Sequence, residues 1–205
     1  MTLDLKKELE STTPKQDVYS LALFSRNKAG ILNRITAVFS RIKLNIDSLN
    51  VSETESKGVF RYSVKVKTTE KIIQRVTKQI EKQVDVIKAV YATDDLIVQQ
   101  EIALYKVPTA VMLDHIKTEK IIRNHNARVV TMHRDYTIIE KTGHKHETQM
   151  LFNELEPYGI LEFVRSGPIS ISKFTSEKSP TREIVNPESI NYLDSHIHSN
   201  EELMN

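Results

Sequence analysis

Hydrophobic residues in the first half of the chain alternate between the spacing of strands and that of helices. Residues 18–24 form a short apolar run typical of a buried strand, and residues 60–66 alternate apolar with polar side chains. Two further stretches place apolar residues on one face of a helix. Their apolar positions are Ile31, Leu32, Ile35, Val38, Phe39 and Ile42, and then Ile72, Ile73, Val76 and Ile80. With strands over 45–53 and 84–92, the predicted order is β-α-β-β-α-β, the ferredoxin-like unit.

The second half of the chain repeats this order of elements. The predicted strands cover residues 101–107, 127–133, 135–141 and 159–167, and the predicted helices cover residues 112–124 and 144–155. The two copies have similar spacing. We therefore predict an α+β fold with two ferredoxin-like βαββαβ domains, at residues 18–93 and 98–172.

Both ends of the chain differ from these repeats. Residues 1–17 are polar and charged, which predicts a flexible N-terminal extension. Residues 173–205 contain three basic and six acidic residues, two prolines and few apolar anchors. This composition predicts a loosely ordered acidic tail.

Composition narrows the classes of function. The 205 residues include no cysteine, which excludes disulfides, a thiol nucleophile and cysteine-based metal sites. The 29 basic and 27 acidic residues nearly balance, which argues against general nucleic-acid binding. No apolar run approaches the roughly 20 residues of a membrane span, and the N-terminus has no signal-like apolar region. We expect a cytoplasmic protein that contacts neither membrane nor nucleic acid.

Histidines are the first candidates for chemistry, because two pairs have the His-x-His spacing. His144 and His146 open a predicted helix, where side chains two positions apart are expected to diverge. His196 and His198 fall in the acidic tail. We therefore expect surface histidines and no metal site.

One short motif resembles the catalytic loop of protein kinases but lacks the other residues that such a loop needs. His133-Arg134-Asp135 copies a kinase tripeptide, but Glu140 stands where the kinase pattern needs asparagine. No nucleophile triad, phosphate loop or dinucleotide fingerprint is present either. These observations favour a binding module over an enzyme.

The run Lys57-Gly58-Val59-Phe60-Arg61-Tyr62 resembles the RNA-binding strand of RNA-recognition motifs. In that strand, stacking aromatics occupy alternate positions on the open face. Here those positions hold Val59 and Arg61, and the two aromatics have the opposite parity. The run therefore argues against RNA binding.

The most informative segment lies between the first strand and the first helix, at residues 27–32. Gly30 stands where the helix begins, and free N–H groups at a helix N-terminus suit a carboxylate. Asn27 and Asn45 can donate and accept hydrogen bonds, which suits a zwitterion. An ordinary loop asparagine and turn glycine would explain the same residues. The second copy has Val-Pro-Thr at residues 107–109, so any such site belongs to the first copy.

This segment and its surroundings resemble the ACT domain of acetolactate synthase (acetohydroxyacid synthase) small subunits. The matching residues are Asn27, Gly30, Leu32 and Arg34, then Phe39, Ser40 and Arg41, then Asn45, Ile46, Ser48 and Leu49. Similarity continues at residues 78–89, 101–107, 140–143 and 159–167, and spans about residues 18–173. Lys43 departs from the glycine of many members, and the tail beyond Lys173 is longer than the family pattern requires.

The resemblance implies a regulatory subunit without catalysis of its own. Its expected partner is a catalytic large subunit that carries thiamine diphosphate, a divalent metal such as magnesium, and FAD, so this chain is expected to bind no cofactor. ACT domains pair as homodimers and bind an amino-acid effector at their interface, here valine, or alternatively leucine or isoleucine. The implied effector-binding residues are Asn27, Ala29, Gly30, Ile31, Leu32, Asn45 and Ile46. The alternative is a free-standing ACT-domain sensor that acts on another protein or a transcriptional partner.

Overall fold

The computed structural model describes residues 16–114 and 116–173. These residues fall into two compact units, one containing residues 16–97 with 172–173 and the other residues 98–171. The predicted N-terminal extension lies almost wholly outside the described residues, as does the acidic tail after Lys173. The second histidine pair, His196 and His198, lies outside them too.

The N-terminal unit is a four-stranded antiparallel sheet with two helices on one face. Its elements are β1 (Asp17–Arg26), α1 (Ile31–Arg41), β2 (Ser48–Glu53), β3 (Val59–Thr68), α2 (Glu70–Glu81) and β4 (Val86–Thr93). The strand order is β2-β3-β1-β4, which confirms the predicted ferredoxin-like topology. Because β2 and β4 are the edge strands, each leaves one side without a strand neighbour in this sheet.

The C-terminal unit repeats this topology. Its elements are β5 (Ile97–Pro108), α3 (Thr109–Asp114), α4 (Ile116–Asn124), β6 (Arg128–Met132), β7 (Tyr136–Gly143), α5 (Lys145–Leu155), β8 (Glu162–Arg165) and β9 (Ile169–Ser172). The strand order β6-β7-β5-β8 matches that of the first unit, and β9 also pairs with β5. The α+β class with two ferredoxin-like units is therefore confirmed.

Some element boundaries differ from the prediction. The single helix predicted for residues 112–124 is two shorter helices, α3 and α4. Strand β9 was not predicted. Gly167 has φ 73°, a left-handed conformation that turns the chain after β8 and lets it pair with β5 again.

Alternation along β3 places its side chains as the sequence predicts. Tyr62 is 3% exposed and lies in the core with the two helices, and Phe60 packs against the same core. Arg61, of opposite parity, lies 5.7 Å from the ring centroid of Phe24, which belongs to a small separate cluster on the other face. The two aromatics of the RNA-like run therefore belong to the core side of this sheet.

The first histidine pair opens α5, but its side chains do not diverge. His144 is the N-cap residue, and its ring stacks on that of His146 with 5.7 Å between centroids. The prediction was wrong because a cap residue lies outside the helical spiral. Among the described residues, no three His, Asp or Glu side chains come together as metal ligands. No helix in the same residues is long and apolar enough to span a membrane.

Candidate functional site

The β1–α1 loop ends in a tight turn that requires glycine. Gly30 has φ 80° and ψ −2°, and the N–H of Ile31 donates to the carbonyl of Lys28 over 3.2 Å. This is the geometry of a type II turn, whose third residue needs positive φ. A side chain at Gly30 would meet no atom within 4 Å, so backbone conformation rather than crowding selects glycine.

Helix α1 begins with backbone donors that the protein leaves unused. Of its first four N–H groups, that of Ile31 is bonded to Lys28 and that of Arg34 to Gly30. Those of Leu32 and Asn33 meet no acceptor within the part of the chain that the structure describes. The first turn carries no acidic residue, and glycine supplies no side-chain cap. The helix therefore presents two N–H groups and a partial positive charge to an anion.

Helix α5 differs from α1 in having an acidic residue in its first turn. Its first turn has a capping box, in which the carboxylate of Glu147 accepts a 2.6 Å hydrogen bond from the N–H of His144. Glu147 thus places a negative charge of the protein's own beside the start of this helix. Helix α1 has no counterpart of this residue.

The predicted effector residues of the loop differ in exposure. Asn27, Ala29 and Gly30 are exposed, as is Leu32 at 41%. Ile31 is 4% exposed and packs in the core. Leu32 therefore offers apolar surface beside the free N–H groups, whereas the Ile31 side chain packs the helix against the core.

The remaining two predicted residues lie at the other end of α1. Asn45 and Ile46 follow the helix, three and two residues before β2, so the prediction that Asn45 opens this strand was wrong. The chain turns there first, with Lys43 in a left-handed conformation at φ 55°. Asn45 is exposed, and Ile46 packs partly against the core. Because α1 has 11 residues, about 16 Å of helix separates Gly30 from the Asn45 segment of the same chain.

The C-terminal unit has no matching loop. Strand β5 ends at Pro108 and α3 begins at the next residue. The hydroxyl of Thr109 donates to the His133 carbonyl over 2.7 Å and lies 2.9 Å from the Thr137 hydroxyl. The strand-to-helix junction is thus closed by the protein's own side chains, in line with the sequence difference between the two copies.

Sequence reasoning missed two residues that hold the loop. The N–H of Asn27 donates to the Gly58 carbonyl, and the N–H of Arg26 donates to the Asp85 carbonyl, each over 2.9 Å. The β1–α1 loop is thereby fixed to the β2–β3 turn on one side and to the α2–β4 turn on the other. Gly58 could have been recognised in the sequence as a turn residue. Nothing in the local sequence around Asp85 indicated its contacts.

Both units match models of protein families. Residues 21–88 match the family described as the AHAS small subunit-like ACT domain, and residues 100–174 match the family of the small subunit of acetolactate synthase. The acetolactate synthase small subunit of Bacillus subtilis is 36% identical over 162 residues, covering 78% of this chain and 92% of the relative. That of Mycolicibacterium smegmatis is 35% identical over 158 residues, covering 76% and 91%.

A solved structure extends the similarity to three dimensions. The crystal structure of the acetolactate synthase small subunit from Thermotoga maritima matches with a TM-score of 0.70 and 25% identity. The match covers 78% of this chain and 99% of the other. It therefore includes both units.

Proposed function

Because the chain belongs to the family of acetolactate synthase small subunits, we propose that it binds and activates a catalytic large subunit and makes that enzyme sensitive to a branched-chain amino acid. Valine is the proposed effector, with leucine and isoleucine as the alternatives. The large subunit supplies the thiamine diphosphate, magnesium and FAD of the reaction, and this chain contributes regulation in the cytoplasm. The similarity to acetolactate synthase small subunits supports the subunit role, and the loop geometry supports the effector site.

One observation carries the effector site: the N–H groups of Leu32 and Asn33 have no acceptor in the described chain, at a helix start without an acidic residue. A ligand carboxylate would accept from them and gain from the helix dipole. Gly30 has no side chain and lets the ligand approach the backbone. The exposed side chain of Leu32 would face the aliphatic part of the ligand, and the Asn27 amide would hold its polar end.

Two subunits are needed to complete this site. Within one chain, the length of α1, about 16 Å, lies between Gly30 and the Asn45 segment, too long a span for a molecule as small as valine. A two-fold axis beside α1 would run two such helices antiparallel and bring Asn45 of the partner subunit to the Gly30 loop. Strand β2, an edge strand next to this region in sequence, offers a surface for such pairing. We therefore propose a homodimer with two equivalent effector sites.

A shared site gives a physical route to feedback inhibition. A ligand that contacts both subunits favours the dimer arrangement in which its contacts are complete. If the large subunit is less active when bound to that arrangement, the effector lowers activity by its differential affinity for the two states. A ligand of valine's size has little surface to bury, so we expect a dissociation constant between micromolar and millimolar.

Reconstitution tests the proposed function. The chain, its large subunit and the mixture are assayed separately for acetolactate formation from pyruvate, each with and without valine. We expect activity of the large subunit to rise on mixing, valine to lower the activity of the mixture, and the chain alone to form no product. No change on mixing, together with failure to co-purify, would instead favour a free-standing sensor. Turnover by the pure chain would overturn the non-catalytic role.

A further inference from the structure

Asp85, in the turn between α2 and β4, contacts the two elements on either side of the β1–α1 loop. Its backbone carbonyl accepts the N–H of Arg26, the last residue of β1, over 2.9 Å. Its carboxylate accepts a hydrogen bond from the Arg34 guanidinium, also over 2.9 Å. One residue from a distant part of the sequence therefore binds both the strand before the loop and the helix after it.

The backbone of Asp85 is arranged for this double contact. Its φ of 72° lies in the left-handed region, where aspartate and asparagine are tolerated better than most other residues. The preceding turn is fixed by the Gln83 N–H donating to the Ile80 carbonyl over 2.9 Å and by the Val86 N–H donating to the Gln83 carbonyl over 3.2 Å. The position of Asp85 is thus set by α2 and β4, independently of the loop that it holds.

Arg34 connects this contact to the free N–H groups. Its own N–H donates to the Gly30 carbonyl over 3.1 Å, the first bond of the α1 spiral. Leu32 and Asn33 lie between Gly30 and Arg34, so the direction of their N–H groups depends on where Arg34 is held. The guanidinium also lies 3.4 Å from the carbonyl of Val84, the residue before Asp85.

We propose that the Arg34–Asp85 ion pair is a positioning device for the effector site, which keeps the first turn of α1 in the orientation that receives a carboxylate. The inference rests on the proposed function of the loop. Neither side chain needs to touch the effector: the pair acts by reducing the freedom that the loop would otherwise lose on binding. The side chains are 41% and 21% exposed, so the pair is partly screened and its effect is modest.

Calorimetry of the full chain with valine tests this role in four variants: Arg34→Gln, Asp85→Asn, their double mutant and Arg34→Lys. Asparagine keeps the tolerance for positive φ, and lysine keeps the charge. We expect each neutral variant to weaken valine binding about threefold and the double mutant to weaken it no further, because both changes remove one partly exposed pair. Arg34→Lys should recover part of the loss.

A matched control exists in the same unit. Lys65 and Asp94 form an ion pair of 3.3 Å with side chains 23% and 44% exposed, away from the loop. Asp94→Asn should bind valine as the wild type does. Raising the salt concentration should weaken valine binding by the wild type and by Asp94→Asn more than by the double mutant. Salt screens the charge at the start of α1 in all three chains, but it screens the Arg34–Asp85 pair only in the first two, a difference that general destabilisation would not produce.

The outcomes separate the two proposals. Absence of binding heat from the wild type with valine, leucine and isoleucine would overturn the proposed effector-binding function itself. If the wild type binds valine and both neutral variants bind it with the same affinity as the wild type, only the positioning role is overturned. Additive losses in the double mutant, or equal salt dependence in all chains, would also contradict it. If thermal unfolding shows that one neutral variant is not folded, the other neutral variant and Arg34→Lys test the positioning role.

Discussion

The backbone N–H of Asn27 donates to the carbonyl of Gly58 over 2.9 Å and so joins the β1–α1 loop to the β2–β3 turn. Gly58 is itself held, because its N–H donates to the Glu53 carboxylate over 3.1 Å. The loop therefore has a defined conformation before any ligand arrives. Preorganisation of this kind reduces the entropy that binding must overcome, which matters most for a ligand with few contacts.

Gly30→Asp should abolish valine inhibition of the reconstituted enzyme while activation of the large subunit is retained. The substitution places a negative charge where the ligand carboxylate would bind and forces a side chain into φ 80°. Dose–response curves for valine measure the effect. Gly159→Asp is the control, because Gly159 also has positive φ and open space but lies in the other unit. Retained valine inhibition in Gly30→Asp would count against the site.

A site shared between two subunits predicts complementation. Homodimers of Gly30→Asp and of Asn45→Ala should both lack valine binding, because each has one defective component in both sites. In a mixed dimer, one site combines the two defects and the other combines Gly30 of one chain with Asn45 of its partner, both intact. Calorimetry of differently tagged, purified mixed dimers should therefore recover binding with about half the wild-type stoichiometry.

If the mixed dimer binds no valine, the effector site is not shared in this way. Binding by homodimeric Asn45→Ala at wild-type affinity would likewise remove Asn45 from the site. Asn45 is exposed and outside regular structure, so the substitution is expected to leave the fold intact.

The capping box of α5 predicts a pH dependence of stability. The His144 N–H holds the pKa of the Glu147 carboxyl below its ordinary value, and the charges of Lys141, His144 and His146 act in the same direction against partial burial. A carboxyl with a lowered folded-state pKa stabilises the fold above the unfolded pKa of about 4.3, and this contribution is lost as pH falls through the folded value. Glu147→Gln keeps the hydrogen-bond acceptor and removes the charge.

Thermal unfolding at pH 7 and pH 3 measures this effect. The wild type should lose more stability than Glu147→Gln between the two pH values, and the variant should be the less stable of the two at pH 7. Equal losses in both chains would show that the Glu147 charge does not stabilise the helix start.

The buried hydroxyl of Tyr105 allows the contribution of one hydrogen bond to the free energy of unfolding to be measured. Its hydroxyl donates to the Thr148 carbonyl over 2.6 Å, and the residue is fully buried. Burial raises the pKa of this hydroxyl to about 12, with opposing effects from the charges of Arg165 and Glu101. Tyr105→Phe should lower the free energy of unfolding by about 1 kcal/mol, the typical net value of such a bond. Unchanged denaturant midpoints would contradict this estimate.

Hydrophobic periodicity was sufficient for the topology but not for the contacts around the site. The alternation at Tyr62 and the helical spacing at Ile35 and Val38 reflect burial on one face, which the sequence records directly. The location of Asn45 before β2 depends on the left-handed turn at Lys43, which no hydrophobic pattern encodes. The Arg34–Asp85 pair joins residues 51 positions apart, and its existence depends on how α2 returns to the sheet.

The most direct test of the account is a crystal structure of the chain grown in saturating valine. The predicted result is valine at the start of α1, with its carboxylate oxygens within hydrogen-bonding distance of the Leu32 and Asn33 N–H groups and its amine near Asn45 of the partner subunit. Valine bound at another position, with these N–H groups left without the ligand, would contradict the central claim.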